Sequence, residues 1–574
     1  MTPDLHRTET QARQIKLLVW SAIVVLGGLQ AWVSRYHISS EDGVAYLDIG
    51  DAYWRGDWAN AINGQWSPAY SWILGLALKI LQPSSYWEFP VVKLVNFSIY
   101  LFVFGCFEFF LRRLRRFYLD QISQSESLFA ASETEWRLLG YALFLWFALE
   151  WVKVSSDTPD LLTAGFVFLS TGIVLNLKRS KRQWLEFSLL GLFLGLSYLS
   201  KTVMFPLSLV FLAVSLFSIA NFRKALPLTF MALFVFVMTT APFIAALSCS
   251  KGHLTFGETG KLNYAWFVNP GEFIIPDHHW QGGPPDSGVP EHPTRKIFDN
   301  PAAFEFAGPI GGTYAPWYDP TYWYQGVKTK FDITQHIRLI VKNGRFYFQH
   351  FLAVAIFIAL LLIAFSEGFA ASVRELLRKS WKLLVPSAAG LAVYMLDSDL
   401  ELNFFVSQPD TRYIAVFVVL LFAGLFVGVP LPDGPASRRL VSGLAFATVV
   451  TMGSFLLLDV SEEIKDGRST KPLDWQVSEG LKALSILPGT AVANLDLRQY
   501  YWARLGRLRI VAEVPDALAF WAANSATRAQ VLQKIRETGA RAVVQNPSLS
   551  IPSRALSEEG WREIGTTGAY VYKF

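Results

Sequence analysis

Glu41, Asp42, Asp48 and Asp51 come together directly after the first long apolar stretch, Leu17 to Val33. Carboxylates in that place can take a proton from a reacting group. In the plainer reading they cap a short helix and face water, with Ser39 and Ser40 as suitable caps. In a helix begun near Ser40, Asp48 and Asp51 stand three residues apart and share a face. Two cations have a comparable setting: Lys201 and Arg412 lie at the ends of later apolar stretches. There they suit an anionic phosphate at headgroup depth, or simply snorkel to the interface. Asp160 opens another stretch after Pro159, where the helix dipole alone accounts for a carboxylate.

These groups must be held by membrane helices. A chain of 574 residues with 52% hydrophobic and 15% aromatic composition is too apolar for a soluble protein of two or three domains. The net charge of +5 would suit nucleic acid, but Lys and Arg fall in short clusters between apolar runs. That pattern carries topology, and no nucleic-acid partner is expected. Cys106 and Cys249 read as packing residues without a disulfide framework, and the N-terminal stretch reads as a retained anchor.

Stretches long enough to span, allowing short cores with snorkelling flanks, are Leu17 to Val33, Trp87 to Leu111, Arg137 to Val154, Pro159 to Leu177, Trp184 to Leu199 and Val203 to Ala220. Ala225 to Leu247, Phe346 to Phe365, Trp381 to Leu396, Tyr413 to Val429 and Leu440 to Leu458 follow. Pro68 to Leu81 is shorter and reads as an interfacial helix. With it lying flat, Arg112 to Arg116, Lys178 to Arg182, Arg223-Lys224, Arg374 to Lys382 and Arg438-Arg439 share the cytoplasmic side. The expectation is an all-α polytopic protein of about eleven spans, N-terminus inside and C-terminus outside. The loops 34–86 and 250–345 then share the outer face with the tail.

The order of motifs carries a resemblance. Glu41-Asp42-Gly43-x-x-Tyr46, Arg55-Gly56-Asp57-Trp58, a short amphipathic helix and a span ending in Arg112-Arg113 come first. Thr158-Pro159-Asp160-Leu161-Leu162, Gly191 to Lys201 and Asp410-Thr411-Arg412-Tyr413 follow. Over about residues 15–430 this resembles the polytopic GT-C glycosyltransferases, and among them bacterial relatives of the protein O-mannosyltransferases and of the lipid A aminoarabinose transferase. The resemblance implies transfer of a sugar from a polyprenyl-phosphate donor to a protein, lipid or polysaccharide acceptor outside the cytoplasm, with inversion. A carboxylate must then accept the hydroxyl proton and cations must stabilise the departing phosphate. On that reading Asp42 is the base, Glu41 its substitute, and Arg412, Lys201 and Tyr413 lie at the donor phosphate.

Asp48, Asp51 and Asp160 are the further substrate-binding candidates. They are joined by Glu258, Asn263, Tyr264 and Trp266 of the long loop, which also holds the aromatic run Tyr314 to Tyr324. Indole and phenol rings beside polar groups suit carbohydrate; a Pro-fixed aromatic cover at the membrane interface fits equally well. No cofactor is expected. Asp277, His278, His279 and His292, and the fragment Asp397-Ser398-Asp399, are the residues a divalent metal would use, but neighbouring histidines diverge and no helical HxxxH or HExxH pattern occurs.

Composition changes after residue 460. Ala491 to Leu495, Leu508 to Val514, Ala542 to Gln545 and Ala569 to Tyr572 read as strands and Ser525 to Thr538 as a helix, giving a small α/β domain over 461–574 beyond a membrane domain over 1–460. Two rivals to the transferase are a flippase or transporter of lipid-linked glycan, and an inactive binding scaffold. Transport calls for polar groups at mid-membrane, whereas these acids follow a span.

Overall fold

The computed structural model describes residues 3–123, 128–269, 291–292, 294–306, 311–366, 368–400, 411–429, 431–466, 471–496, 500–546 and 560–574. The chain begins with α1 (Pro3–Val33), α2 (Glu41–Arg55), α3 (Trp58–Ala61), α4 (Pro68–Leu81) and α5 (Ser85–Ile122). Then come α6 (Glu133–Leu145), α7 (Asp160–Asn176), α8 (Gln183–Ser200), α9 (Met204–Phe217) and α10 (Phe222–Lys251). The long loop contributes α11 (Thr259–Asn263), β1 (Arg295–Phe298), β2 (Ala303–Glu305), α12 (Ala315–Tyr318) and α13 (Pro320–Trp323). The remaining apolar helices are α14 (Ile333–Tyr347), α15 (Ala353–Ala364), α16 (Phe369–Asp397), α17 (Ala415–Gly428) and α18 (Pro435–Asp466).

The apolar stretches read from the sequence fall on these helices, except that Phe346 to Phe365 runs from the end of α14 through α15 and Arg137 to Val154 continues past α6 through a wider turn, Trp146–Trp151. Among the described residues, five segments are long and apolar enough to cross a membrane by themselves: Lys16–Val33, Ser85–Ile122, Phe222–Lys251, Ile333–Ala364 and Pro435–Leu456. Phe230, Phe234 and Met238 on α10 and Phe357 and Leu360 on α15 stay exposed, which a lipid surround tolerates and water does not. The protein is an integral membrane protein.

Local chemistry sets several boundaries. Pro68 opens α4, where its missing N–H costs nothing. Ser132 and Glu135 close a reciprocal capping box on α6. Gly56 ends α2 at φ 75°, returning its N–H to Ala52 and Tyr53. Helices α2 and α4 meet backbone to backbone: a Cβ on Gly50 would lie 2.6 Å from the Ser71 carbonyl oxygen, and one on Gly75 at the same distance from that of Gly50.

After α18, which runs past residue 460, come α19 (Leu473–Ala483), β3 (Ala491–Leu495), α20 (Tyr501–Leu505), β4 (Arg509–Val514), α21 (Ala517–Ala522), α22 (Ser525–Glu537), β5 (Ala542–Gln545), β6 (Arg562–Glu563) and β7 (Tyr570–Lys573). The seven strands form one sheet in the order β1-β2-β4-β3-β5-β7-β6. The parallel centre, β4-β3-β5, is the α/β unit expected from the C-terminal sequence. Its edge was not expected: β2 of the long loop pairs antiparallel with β4, Phe304 opposite Glu513. Leu495, Val514, Phe520 and Ile535 form the core with Ala303 of β2.

Candidate active site

The approach to α2 is tied down before Asp42 is reached. Ser39 donates its backbone N–H to Asp157 Oδ2 at 2.7 Å, and its hydroxyl oxygen accepts the Asp157 N–H at 2.8 Å. Asp157 is fully buried and takes two further bonds from Lys93 Nζ at 2.6 and 2.7 Å, with Asn96 Nδ2 at 2.9 Å. Ser39 thus anchors the helix sideways instead of capping it. A buried pair is stable only when such extra bonds satisfy its remaining lone pairs.

One residue into α2, Asp42 meets two side chains from distant parts of the chain. Its Oδ2 accepts from Arg412 Nη2 at 3.3 Å and its Oδ1 from the Trp317 indole at 3.1 Å. Arg412 Nε lies 4.0 Å from Asp160 Oδ2, and Lys201 Nζ bonds the other Asp160 oxygen. Lys201 also sits 4.0 Å over the Tyr413 ring, which stacks on Tyr394 at 5.6 Å. These residues arrive from six places: α2, the start of α7, the residue after α8, α12, α16 and the single turn Thr411–Tyr413 before α17. Asp160, Lys201, Tyr394, Arg412 and Tyr413, with apolar Phe147, Met204 and Phe417, line a tight cleft of about 10 Å³, room for about one water. Two cations against two carboxylates leave it electrically balanced, and an incoming phosphate would find both guanidinium and ammonium within reach.

An aromatic wall stands on the loop side of Asp42. Trp266 lies parallel to Trp317 at 6.2 Å, Tyr324 meets Trp266 edge-on at 5.6 Å, and the Trp66 indole donates to the Trp317 carbonyl at 3.0 Å. The other loop candidates stand apart. The Tyr264 hydroxyl pairs with His336 Nε2 at 3.0 Å, and Asn263 closes α11. Glu258 lies 3.2 Å from His253 Nε2 and donates its N–H to the Gly64 carbonyl.

Asp48 and Asp51 do share a face, and a second cluster claims it. Arg504, on α20, reaches Asp48 at 2.6 Å, Glu88 at 2.7 Å and Asp51 at 2.8 Å. Arg507 adds bonds to Asp51 at 2.9 Å and Glu88 at 2.7 Å. Thr313 donates its N–H to Asp48 at 2.7 Å. Burial alone would raise the Asp51 carboxyl, but Arg504 and Arg507 outweigh it and hold it below the usual range. Glu41, also buried, is turned toward the C-terminal segment. Burial raises the Tyr501 phenol well above its ordinary value, and the Glu41 carboxylate adds to the rise.

Lys93, Glu88, Asp157, Trp317 and Arg504 were not singled out as site residues from the sequence. Lys93 had a signal, a cation within an apolar run; so had Arg504, set between Ala503 and Leu505 after three aromatics. Asp277, His278, His279 and Asp410 lie outside the described residues. His292 stacks on Tyr322 at 3.9 Å and Asp399 accepts from Lys342 at 2.6 Å. Among the described residues, no three His, Cys, Asp or Glu side chains gather as metal ligands.

A bundle of apolar helices, with a carboxylate-bearing helix straight after the first of them and an α/β unit after the last, has counterparts among solved structures. The crystal structure of ArnT from Cupriavidus metallidurans in the apo state superposes with a TM-score of 0.51 over 98% of each chain at 12% identity. The same protein bound to undecaprenyl phosphate gives 0.50 over 97% of each chain at 11% identity. The archaeal oligosaccharyltransferase AglB from Archaeoglobus fulgidus gives 0.45 over 92% of this chain and 69% of that one. No family model and no curated protein sequence matches the chain. The chain thus shares the fold of ArnT, in line with the resemblance read from the sequence, with five rather than eleven segments long enough to span by themselves among the described residues.

Proposed function

We propose that this protein is a membrane glycosyltransferase that moves a sugar from a polyprenyl-phosphate carrier to an acceptor outside the cytoplasm. The observation that carries the reading is the chain of charge contacts from Asp42 through Arg412 to Asp160 and Lys201, the last three lining one cleft of a GT-C-like bundle. The likeness to a protein crystallised with undecaprenyl phosphate supports the donor class.

The donor phosphate settles between Lys201 and Arg412, with Tyr413 beside both. Arg412 turning to phosphate releases one oxygen of Asp42. The acceptor oxygen attacks the anomeric carbon from the opposite side while its proton passes to Asp42. The bond from that carbon to the phosphate oxygen breaks, polyprenyl phosphate leaves with the electron pair, and the two cations stabilise its charge. Configuration inverts. Trp317 and Trp266 offer indole faces on the side from which the acceptor comes. Asp48 and Asp51 hold the helix, while Glu258, Asn263 and Tyr264 shape the loop around the acceptor path.

The membrane arrangement that fits has about eleven spans with the N-terminus in the cytoplasm. The helices α6, α7, α8, α9, α16 and α17 then span as well, α4 lies in the interface, and the cleft, the long loop and residues 461–574 face outward. Reporter fusions at residue 120 are expected to read cytoplasmic; an outside signal contradicts this arrangement.

The assignment of the base is tested by Asp42→Asn and Glu41→Gln. The first is expected to abolish transfer and the second to leave most of it. Full transfer by Asp42→Asn with loss in Glu41→Gln would reverse the two roles.

A further inference from the structure

Asp42 belongs to a helix whose opposite side is gripped from the C-terminal segment. Asp51 follows Asp42 by nine residues, about two and a half turns, so the two carboxylates point to opposite sides of α2. We infer that Arg504 is a positioning residue: by holding Asp48 and Asp51 it fixes the rotation of α2 and so aims Asp42 at Arg412 and the acceptor. This rests on the transferase reading above and gives the C-terminal segment a part in turnover without contact with substrate.

The grip is rigid at both ends. Arg504 is 2% exposed and bonds carboxylates of two helices, Asp48 and Asp51 on α2 and Glu88 in the first turn of α5. Its own helix is seated in the sheet domain, where the buried Trp502 indole donates to Asn546 Oδ1 at 2.9 Å. Tyr500, just before α20, stacks on Tyr314 at 4.6 Å, and the Tyr314 hydroxyl donates to Glu513 of β4 at 2.7 Å.

The same loop segment touches both functional ends of α2. Thr313 donates to Asp48, and four residues later the Trp317 indole donates to Asp42. Sheet, loop and carboxylate helix are thereby one connected unit.

Apolar packing alone would not do this. The Gly50 to Gly75 approach fixes how near α2 lies to α4, but such contacts are non-directional. A planar guanidinium holding three carboxylates specifies angle as well as distance.

The test uses the full-length protein in lipid vesicles, a polyprenyl-phosphate sugar as donor, an envelope extract as acceptor source, and a separate measurement of donor binding. Arg504→Gln is expected to lower kcat about tenfold or more and to leave donor KM and Kd within about twofold, because Lys201 and Arg412 are untouched. Arg504→Lys keeps the charge without the fork and is expected to fall between the two. Asp48→Asn added to Arg504→Gln is expected to cost little beyond the worse single variant, since both remove one interaction.

Unchanged kcat in Arg504→Gln, or parallel loss of kcat and donor binding, overturns the inference. Should Arg504→Gln not fold, Asp48→Asn alone carries the same comparison. A wild-type protein without turnover removes the transferase reading and this inference together. Wild-type turnover with full kcat in Arg504→Gln removes the inference alone.

Discussion

At the first turn of α2, Asp42 meets Arg412 at 3.3 Å, and Arg412 stands 4.0 Å from Asp160. Farther along the same helix, Arg504 meets Asp48, Glu88 and Asp51 at 2.6 to 2.8 Å. The residue types are the same and the closure is not. The Asp42 and Arg412 side chains keep 16% and 15% exposure, against 2% for both Arg504 and Glu88, although Asp51 keeps 21% and Asp160, bonded to Lys201, only 4%. Long, part-exposed contacts can be exchanged for a ligand at small cost. Short buried ones cannot, because any vacated charge would be left desolvated. One helix thus carries a long Asp42–Arg412 contact where chemistry is proposed and shorter, more buried contacts to Arg504 where it is held.

Loss of Asp42 should have the largest effect on rate. Asp42→Asn is expected to lower kcat about 10²- to 10⁴-fold while donor binding persists. Comparable loss of both would make Asp42 a binding group and erase the contrast between the clusters. The largest effect on stability is expected away from both. Lys93→Met strands Asp157 without its cation and should cost about 3–5 kcal/mol, read as a lowered Tm in detergent. An unchanged Tm would mean that Ser39 and Asn96 suffice.

The Arg504 cluster should also be sensitive to acid. Asp51 is held below the usual carboxylate range in the folded protein, so its contribution is complete above about pH 4. It fades as pH falls through the lowered value. Hydrogen exchange of α20 should be flat from about pH 5 to 8 after correction for intrinsic rates, and rise below about pH 4. Tightening on acidification would contradict the sign. The smallest effect belongs to the surface: Lys534→Ala breaks only an exposed pair with Glu537, and no change in Tm is expected.

Locally determined features were legible. The expected β3 and β5 match the observed strands residue for residue, and α4 runs from Pro68 to Leu81 as its composition predicts, since proline, apolar runs and strand residues act within a few positions. Features that depend on partners hundreds of residues away were not. The strands β1 and β2 are four and three residues long, too short to show a period, and exist because β4 offers an edge. Asp48 and Asp51 were read together correctly as one face, but their partner Arg504 is 456 positions from Asp48. In the cleft, Asp42, Arg412, Lys201 and Asp160 could be named from the order of motifs. Trp317 was only one of a run of aromatics until the fold set its indole on Asp42.

The most direct test is release of free polyprenyl phosphate from synthetic polyprenyl-phosphate sugars by the purified protein in lipid, with a crude envelope extract supplying acceptor. Release that needs the extract and vanishes in Asp42→Asn is the predicted result. Measurable donor binding without release from any sugar would contradict the transferase account and leave a protein that only binds or moves its lipid.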